Sequence, residues 1–170
     1  WASVSKGVAA DMIAKLAAEG KLSLFEPIAK YSASLRLPGG TEHRATVADV
    51  LSHQLGIFAH ANDSKLEDGI DDQLLRMDLA SLNSICPVNQ CHAYQNVAYD
   101  AASEVVEKVT GEPYQQVVRE RLFLPLGMRS ATVTREGLYA SPSWARSHRG
   151  GKKSKPVEVT DSYYRVPGAG

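Results

Sequence analysis

Glycine and proline divide most of this sequence into segments of helical length, and this spacing is the strongest constraint on its fold. Between these breaks, apolar residues recur with a helical period, as in the first segment, which ends before the capping residue Gly20. Helices are therefore predicted over residues 3–19, 46–53, 71 or 72 to 82, 96–109 and 113–123. The predicted fold class is mostly α.

The other segments have less regular patterns. Five Lys or Arg residues lie in a Gly/Ser-rich setting between positions 146 and 155, so an irregular, solvated basic loop is predicted over residues 138–165. Within or beside it, residues 157–160 and 162–166 could form short strands. The acidic residues of positions 63–72 predict a surface loop.

The composition is typical of a soluble globular protein, with 44% hydrophobic and 22% charged residues in 170. The 19 basic and 19 acidic side chains balance, which argues against nucleic acid as the main partner, because phosphate binding needs concentrated positive charge. No apolar run approaches the roughly 20 residues of a membrane span, and no signal peptide is visible. The abrupt start at Trp1 suggests a processed protein or a piece of a longer one.

Ser3 and Lys6 form an S-x-x-K sequence at the start of the first predicted helix. One helical turn separates them, so the Lys6 amine can reach the Ser3 hydroxyl. An apolar helix face and the positive end of the helix dipole both disfavour a charged amine, and a neutral amine beside a serine is a general base beside a nucleophile. The alternative is that Ser3 only caps the helix and Lys6 extends to water.

Tyr94 and Asn96 form a Y-x-N sequence just before another predicted helix. A tyrosine can pass protons between a serine, a lysine and a leaving group. An asparagine amide can hold a lysine amine and a substrate carbonyl together. The alternative is a packed tyrosine followed by an asparagine N-cap.

These two motifs, in this order and at this separation, resemble the serine β-lactamase and penicillin-binding-protein superfamily. The resemblance is to its class C β-lactamase, D-alanyl-D-alanine carboxypeptidase and esterase branch. Other segments are similar too: GKLSL at residues 20–24, VLSHQLGI at 50–57, VTGEPY at 109–114, PLGM at 125–128 and PGAG at 167–170. Together these matches cover most of residues 1–135.

The resemblance implies a role for each motif residue. Ser3 would be the acylated nucleophile and Lys6 its base. Tyr94 would transfer protons to the leaving group and activate the deacylating water, while Asn96 would orient Lys6 and bind the substrate amide. The substrates implied are β-lactams, D-alanyl peptides or carboxylic esters, with no organic cofactor and no metal. A periplasmic or secreted location is implied as well.

The third motif of the superfamily, K-[ST]-G or H-x-G on a sheet strand, is expected beyond position 170. Two local strings imitate it, KVTG at 108–111 and HRG at 148–150, but the first ends a helix and the second comes too early. Residues 1–170 are therefore expected to be one helical lobe of an α+β domain whose main sheet is largely missing from this chain. The sheet-forming part would be its partner, and a non-catalytic relative that binds peptidoglycan fragments or a protein partner is the alternative function.

Four residues near these motifs have open or structural interpretations. Cys86 and Cys91 could form a short disulfide before Tyr94 or remain free thiols. A zinc site that includes His92 has no evident fourth ligand. His53 follows a serine on a short predicted helix, and a structural role is favoured because the superfamily uses lysine and tyrosine for catalysis.

Overall fold

A computed structural model of the protein describes residues 2–151, 154–158 and 160–170. Its α-helices there are α1 (Ser5–Ala18), α2 (Val47–Leu51), α3 (Asp63–Glu67), α4 (Asp72–Asp78), α5 (Ala101–Thr110), α6 (Tyr114–Val118) and α7 (Arg135–Tyr139). Short 3-10 helices occupy Ala2–Val4, Ile28–Lys30, Pro38–His43, Leu79–Ser81 and Asp161–Arg165, and a π-helical turn, Arg119–Phe123, continues α6. The sheet of the described residues has two antiparallel strands, β1 (His148–Arg149) and β2 (Lys155–Pro156). The predicted mostly helical fold without its main sheet is confirmed.

The core lies where α1 packs against α5, with α6 closing one side. Met12, Ile13 and Leu16 of α1 are fully buried, because they recur at the spacing that places them on one helix face. Val105 and Val106 of α5 meet them from the other helix. Each of the larger side chains contributes about 1.5–3 kcal/mol through burial, so the α1–α5 contact fixes the position of the first turn of α1.

The helix α2 begins at the predicted cap. The Thr46 hydroxyl accepts a hydrogen bond from the Asp49 amide, and the Asp49 carboxylate accepts one from the Thr46 amide, which is a complete capping box. The helix ends at Leu51, two residues before the predicted end at His53. His53 has a left-handed backbone, φ 61°, which ends the helix and turns the chain toward the site.

The helix α5 begins at Ala101, five residues after the predicted start at Asn96. Residues 96–100 form turns instead, and the Asn96 side chain bonds to Lys6 and Asp63, so it does not cap the helix. Over residues 96–100 the amphipathic pattern therefore indicates burial correctly and a helix incorrectly, and from Ala101 onward the predicted helix is confirmed. The helix ends at Gly111, as predicted, where φ is 76°.

A loop prediction and a strand prediction are wrong. The acidic stretch predicted as a surface loop contains α3, and Asp63 at its start is 9% exposed. The stretch 162–166 is a 3-10 helix rather than a strand, because Ser162 and Arg165 donate hydrogen bonds to backbone carbonyls around the end of α3. Residues 157, 158 and 160 are not in a strand either, and residue 159 lies outside the described residues.

Cys86 and Cys91 form a disulfide, with their Cα atoms 6.3 Å apart. This settles the open choice between a bridge and free thiols, and it leaves His92 without thiolate neighbours for a zinc site. Backbone hydrogen bonds join this loop to the segment after α2, from Ile85 to Gly56 at 2.8 Å and from Ala93 to His53 at 2.9 Å. Within the described residues, no helix is both long and apolar enough to cross a membrane.

Candidate active site

Ser3 lies in the 3-10 turn immediately before α1, and Lys6 lies in the first turn of that helix. The Lys6 Nζ atom is 3.5 Å from the Ser3 Oγ atom. The Lys6 side chain does not extend to water, since the residue is only 7% exposed. The interpretation of Ser3 and Lys6 as a simple cap and a surface lysine is therefore wrong.

Tyr94 reaches the same hydroxyl from a different segment of the chain. Its Oη donates a hydrogen bond to Ser3 Oγ at 2.6 Å, and the Lys6 Nζ atom lies 4.6 Å from the centroid of its ring. The Ser3 hydroxyl thus has an amine and a phenol as neighbours. This is the grouping that the two sequence motifs predicted, although residues 3 and 94 are far apart in the chain.

Asn96 joins the amine to the interior. Its Oδ1 accepts a hydrogen bond from Lys6 Nζ at 2.6 Å, and its Nδ2 donates one to Asp63 Oδ2 at 2.6 Å. Lys6 Nζ also donates to the backbone carbonyl of Ala169 at 2.7 Å. The C-terminal residues of the chain therefore lie across the first turn of α1, beside the site.

His53 has a structural position, as predicted, and it shapes the loop that carries the Y-x-N motif. Its Nδ1 accepts a hydrogen bond from the Gln95 amide at 3.1 Å, and its ring centroid lies 4.6 Å from that of Tyr94. Burial lowers the pKa of His53 to about 4, and the positive charge of Lys6 adds to this effect. A neutral His53 is the form that can accept the Gln95 N–H bond.

A buried ionic cluster anchors the segment that supplies the Ala169 carbonyl. Arg76 of α4 contacts three carboxylates, those of Asp72, Asp100 and Glu104, at 2.7, 2.9 and 3.1 Å. The other oxygen of Asp100 accepts a hydrogen bond from the Gly168 amide at 2.8 Å. Burial raises the pKa of Asp100 to about 7, although the Arg76 charge opposes the shift.

A cavity of about 410 Å³ opens beside Ser3 and Asn96. Among the described residues, its lining has no charged side chain and includes several large apolar or aromatic ones: Val133, Leu138, Trp144, Tyr163 and Tyr164. A molecule bound there would place an uncharged, largely apolar group next to the Ser3 hydroxyl.

Sequence reasoning missed Asp63, Ala169 and Asp100. Asp63 stands in an acidic stretch typical of a surface, and no local pattern distinguishes it from its neighbours. Ala169 acts through a backbone carbonyl, which any residue type supplies. Gly168 gave a partial signal, since it belongs to the PGAG string and its amide bonds to Asp100.

The fold and the site together place one serine hydroxyl beside a lysine amine and a tyrosine phenol. The chain belongs to the Beta-lactamase family, whose model matches residues 1–170.

Similar proteins agree with this assignment. Penicillin-binding protein 4 of Amycolatopsis lactamdurans is 30% identical over 98% of this chain and 44% of its own length. The D-alanyl-D-alanine-carboxypeptidase/endopeptidase AmpH of Escherichia coli is 25% identical over 78% of this chain and 36% of its own length. The octameric penicillin-binding protein homologue from Pyrococcus abyssi shares the fold, with a TM-score of 0.76 and 24% identity over 92% of this chain and 37% of that one. The chain thus spans less than half the length of the curated relatives it matches.

Proposed function

We propose that this protein hydrolyses carboxylic acid derivatives through an acyl-enzyme formed on Ser3. The observation that supports this most is the contact of one serine hydroxyl with both a buried lysine amine, at 3.5 Å, and a tyrosine phenol, at 2.6 Å. A serine with a base in reach is an activated nucleophile, and a phenol beside it can carry the same proton onward.

The proposed reaction has two steps. In acylation, the Ser3 proton passes to Lys6, Ser3 Oγ bonds to the substrate carbonyl carbon, and the bond to the leaving group breaks. The leaving nitrogen or oxygen takes up the proton through Tyr94. In deacylation, water bonds to the same carbonyl carbon and the bond from that carbon to Ser3 Oγ breaks. The water proton passes through Tyr94 and Lys6 to Ser3 Oγ, and the acid product leaves.

The carbonyl oxygen needs hydrogen-bond donors as it gains negative charge. The Ser3 amide is the donor that this chain would supply, and a strand of the sheet-forming part would supply the second. Each such donor contributes roughly 3–4 kcal/mol of transition-state stabilisation. We therefore propose that residues 1–170 are one lobe of a longer domain, as the 44% coverage of its relative suggests.

The substrate classes proposed are β-lactams, D-alanyl peptides and carboxylic esters, because all three undergo the same acyl transfer. The names of the relatives above support the first two. A periplasmic or secreted location is also proposed, and the Cys86–Cys91 bridge supports it, since disulfides persist in oxidising compartments.

Replacement of Ser3 by alanine tests the proposal. Hydrolysis of a chromogenic cephalosporin, p-nitrophenyl butyrate and a D-alanyl-D-alanine peptide is measured for wild type, Ser3→Ala and the control Ser84→Ala, which alters an exposed serine. We expect Ser3→Ala to lose at least about 1,000-fold in kcat/KM on the hydrolysed substrate, and Ser84→Ala to lose nothing.

The comparison is made on the 170-residue chain and on a longer form that includes the sheet. Unchanged hydrolysis in Ser3→Ala contradicts the proposal. Reversible binding of the substrates without turnover in the longer form favours a non-catalytic binding protein.

A further inference from the structure

The Asp63 carboxylate lies behind Asn96 and has no role in the reaction steps proposed above. Asp63 Oδ2 accepts hydrogen bonds from Asn96 Nδ2 at 2.6 Å and contacts His60 Nδ1 at 2.9 Å. Its Oδ1 atom is buried and has no hydrogen-bond partner among the described residues. A buried carboxylate oxygen without a partner is costly, so the position of this group calls for a physical reason.

The first effect of Asp63 is on the orientation of the Asn96 amide. An amide offers an oxygen on one side and an NH2 group on the other, and either side could face Lys6. Asp63 can only accept hydrogen bonds, so it binds the NH2 group and turns Oδ1 toward Lys6. Without the carboxylate, the Asn96 amide loses the hydrogen bond that favours this orientation.

The orientation matters because of what a neutral lysine amine carries, namely two N–H groups and one lone pair. Asn96 Oδ1 and the Ala169 carbonyl accept the two N–H groups, at 2.6 and 2.7 Å. The lone pair is then left for the Ser3 hydroxyl, 3.5 Å away. If the Asn96 NH2 group faced Lys6 instead, it would occupy the lone pair, and the base would no longer point at the serine.

The second effect of Asp63 is electrostatic. Its negative charge acts on Lys6 through a single amide group, and all three side chains are buried, where charges interact strongly. This charge attracts the positive charge that develops on Lys6 during transfer of the Ser3 proton. The same charge polarises the amide and strengthens the bond at Oδ1.

We propose that Asp63 is a positioning residue for acylation: it locks the Asn96 amide so that the lone pair of Lys6 points at Ser3. This inference rests on the proposed function. His60 extends the chain of contacts toward solvent, and its ring lies 5.3 Å from the ring of Tyr94, so it holds Asp63 from the outer side.

The test is the rate of Ser3 acylation across a range of pH in Asp63→Asn, Asp63→Glu and the control Asp68→Asn. Asp68→Asn removes an exposed carboxylate from the end of the same helix, α3. The probe is whichever penicillin or p-nitrophenyl ester labels wild-type Ser3, in the protein form that it labels.

We expect Asp63→Asn to lower the maximal acylation rate 10- to 100-fold, with little change in the affinity of the initial complex, since Asp63 is behind Asn96. We also expect the acid limb of the pH profile to move to lower pH, because the protonated amine loses a favourable charge. A variant that had only lost folded protein would show a lower rate with an unmoved limb. Asp63→Glu, which keeps the charge, should keep the position of the limb, and Asp68→Asn should match wild type.

Three results would overturn the inference. One is a wild-type profile in Asp63→Asn, another is a lower rate with an unmoved limb, and the third is an equal shift of the limb in Asp63→Glu. If Asp63→Asn does not fold, Asp63→Glu decides: retention of the limb supports the inference and a shift opposes it.

If wild-type Ser3 is never labelled, the proposed function fails, and the inference is then judged by NMR. Under the inference, the Asn96 side-chain NH2 group is hydrogen-bonded to Asp63, so its protons should exchange with solvent more slowly in wild type than in Asp63→Asn. Equal exchange rates in the two proteins contradict it.

Discussion

At the scale of single residues, the site depends on hydrogen bonds that only one protonation state can make. His53 is the clearest case, because its Nδ1 accepts the Gln95 N–H bond only when it is unprotonated. Its pKa of about 4 keeps it neutral over most of the pH range. The imidazole therefore holds the backbone between Tyr94 and Asn96.

We predict that His53 makes the fold sensitive to acid. Its pKa is about 6.5 when the chain is unfolded and about 4 when folded, so the unfolded chain binds more protons in this window. The stability that His53 contributes is complete above pH 6.5 and is lost as the pH falls toward 4. Urea unfolding at a series of pH values should show this loss in wild type and a smaller one in His53→Asn, because asparagine tolerates the left-handed backbone and does not titrate.

The matched control is His43→Asn, since the His43 side chain lies at the surface. It should keep the wild-type dependence between pH 4 and 6.5. An identical pH dependence in wild type and His53→Asn would show that His53 is not the sensitive group.

At the scale of elements, the disulfide loop and the segment after α2 support the Y-x-N motif. The Cys86 carbonyl lies 2.3 Å from where a Cβ on residue 56 would be, so only glycine allows this approach, and Gly56 also has a φ of 75°. The Ala93 amide bonds to the His53 carbonyl, immediately before Tyr94. The disulfide-bonded loop thereby restrains Tyr94, the residue that contacts Ser3.

We predict that Cys86→Ser with Cys91→Ser lowers the free energy of unfolding by about 2 kcal/mol, the value for a bridge that closes so short a loop. Denaturant unfolding measures this, and hydrogen exchange at the Ala93 amide should become faster. Reductant should destabilise wild type by a similar amount and leave the double variant unaffected. Equal stability of disulfide-bonded wild type and the double variant would mean that the bridge adds no constraint.

How much the sequence could predict differs between these elements. The end of α1 and the cap of α2 follow from local signals, a glycine after the helix and a Thr/Asp pair, and both are found in the structure. The start of α1 was predicted at Ser3, but Ala2–Val4 form a 3-10 helix and α1 begins at Ser5. The start of α5 was predicted too early, because the Asn96 side chain bonds to Lys6 and Asp63 and does not cap the helix. No local sequence signal predicts contacts between residues so far apart in the chain. Asp63 and the 3-10 helix that packs on α3 were missed because they too depend on contacts between distant residues.

At the scale of the whole molecule, the Arg76 cluster joins α4, α5 and the C-terminal segment. One guanidinium faces three carboxylates, so the cluster is short of positive charge. Asp100, the most buried carboxylate, responds with a pKa raised to about 7. Through the Gly168 amide it also sets the position of the Ala169 carbonyl, and hence of Lys6.

We predict that Asp100 makes the fold less stable as the pH rises from about 4 to about 7. Its pKa is higher folded than unfolded, so the folded state binds more protons in this window, and the stability present below pH 4 is lost by pH 7. Asp100→Asn should remove this loss, on the order of 1–4 kcal/mol, and unfold at a higher denaturant concentration than wild type at pH 8. His53 acts in the opposite direction over nearly the same pH window. In wild type the two effects on the free energy of unfolding therefore partly cancel, and each single variant should reveal the pH dependence caused by the other group.

Lower stability of Asp100→Asn at pH 8 would show that the ion pair with Arg76 outweighs the cost of burial. Glu104, whose carboxylate contacts the same guanidinium, offers the comparison. Burial works against its charge, but hydrogen bonds from Ser32 and Ser34 and the Arg76 charge lower its pKa. Glu104→Gln should therefore lose stability at pH 8.

The central claim is that Ser3 becomes acylated, and the mass of the protein tests it most directly. After brief reaction with a penicillin or an activated ester, followed by acid quench, wild type in the longer, sheet-containing form should gain the mass of one acyl group. Digestion should place this mass on the peptide that contains Ser3, and Ser3→Ala should gain none. Equal labelling of Ser3→Ala, or an adduct confined to another residue, would contradict the account.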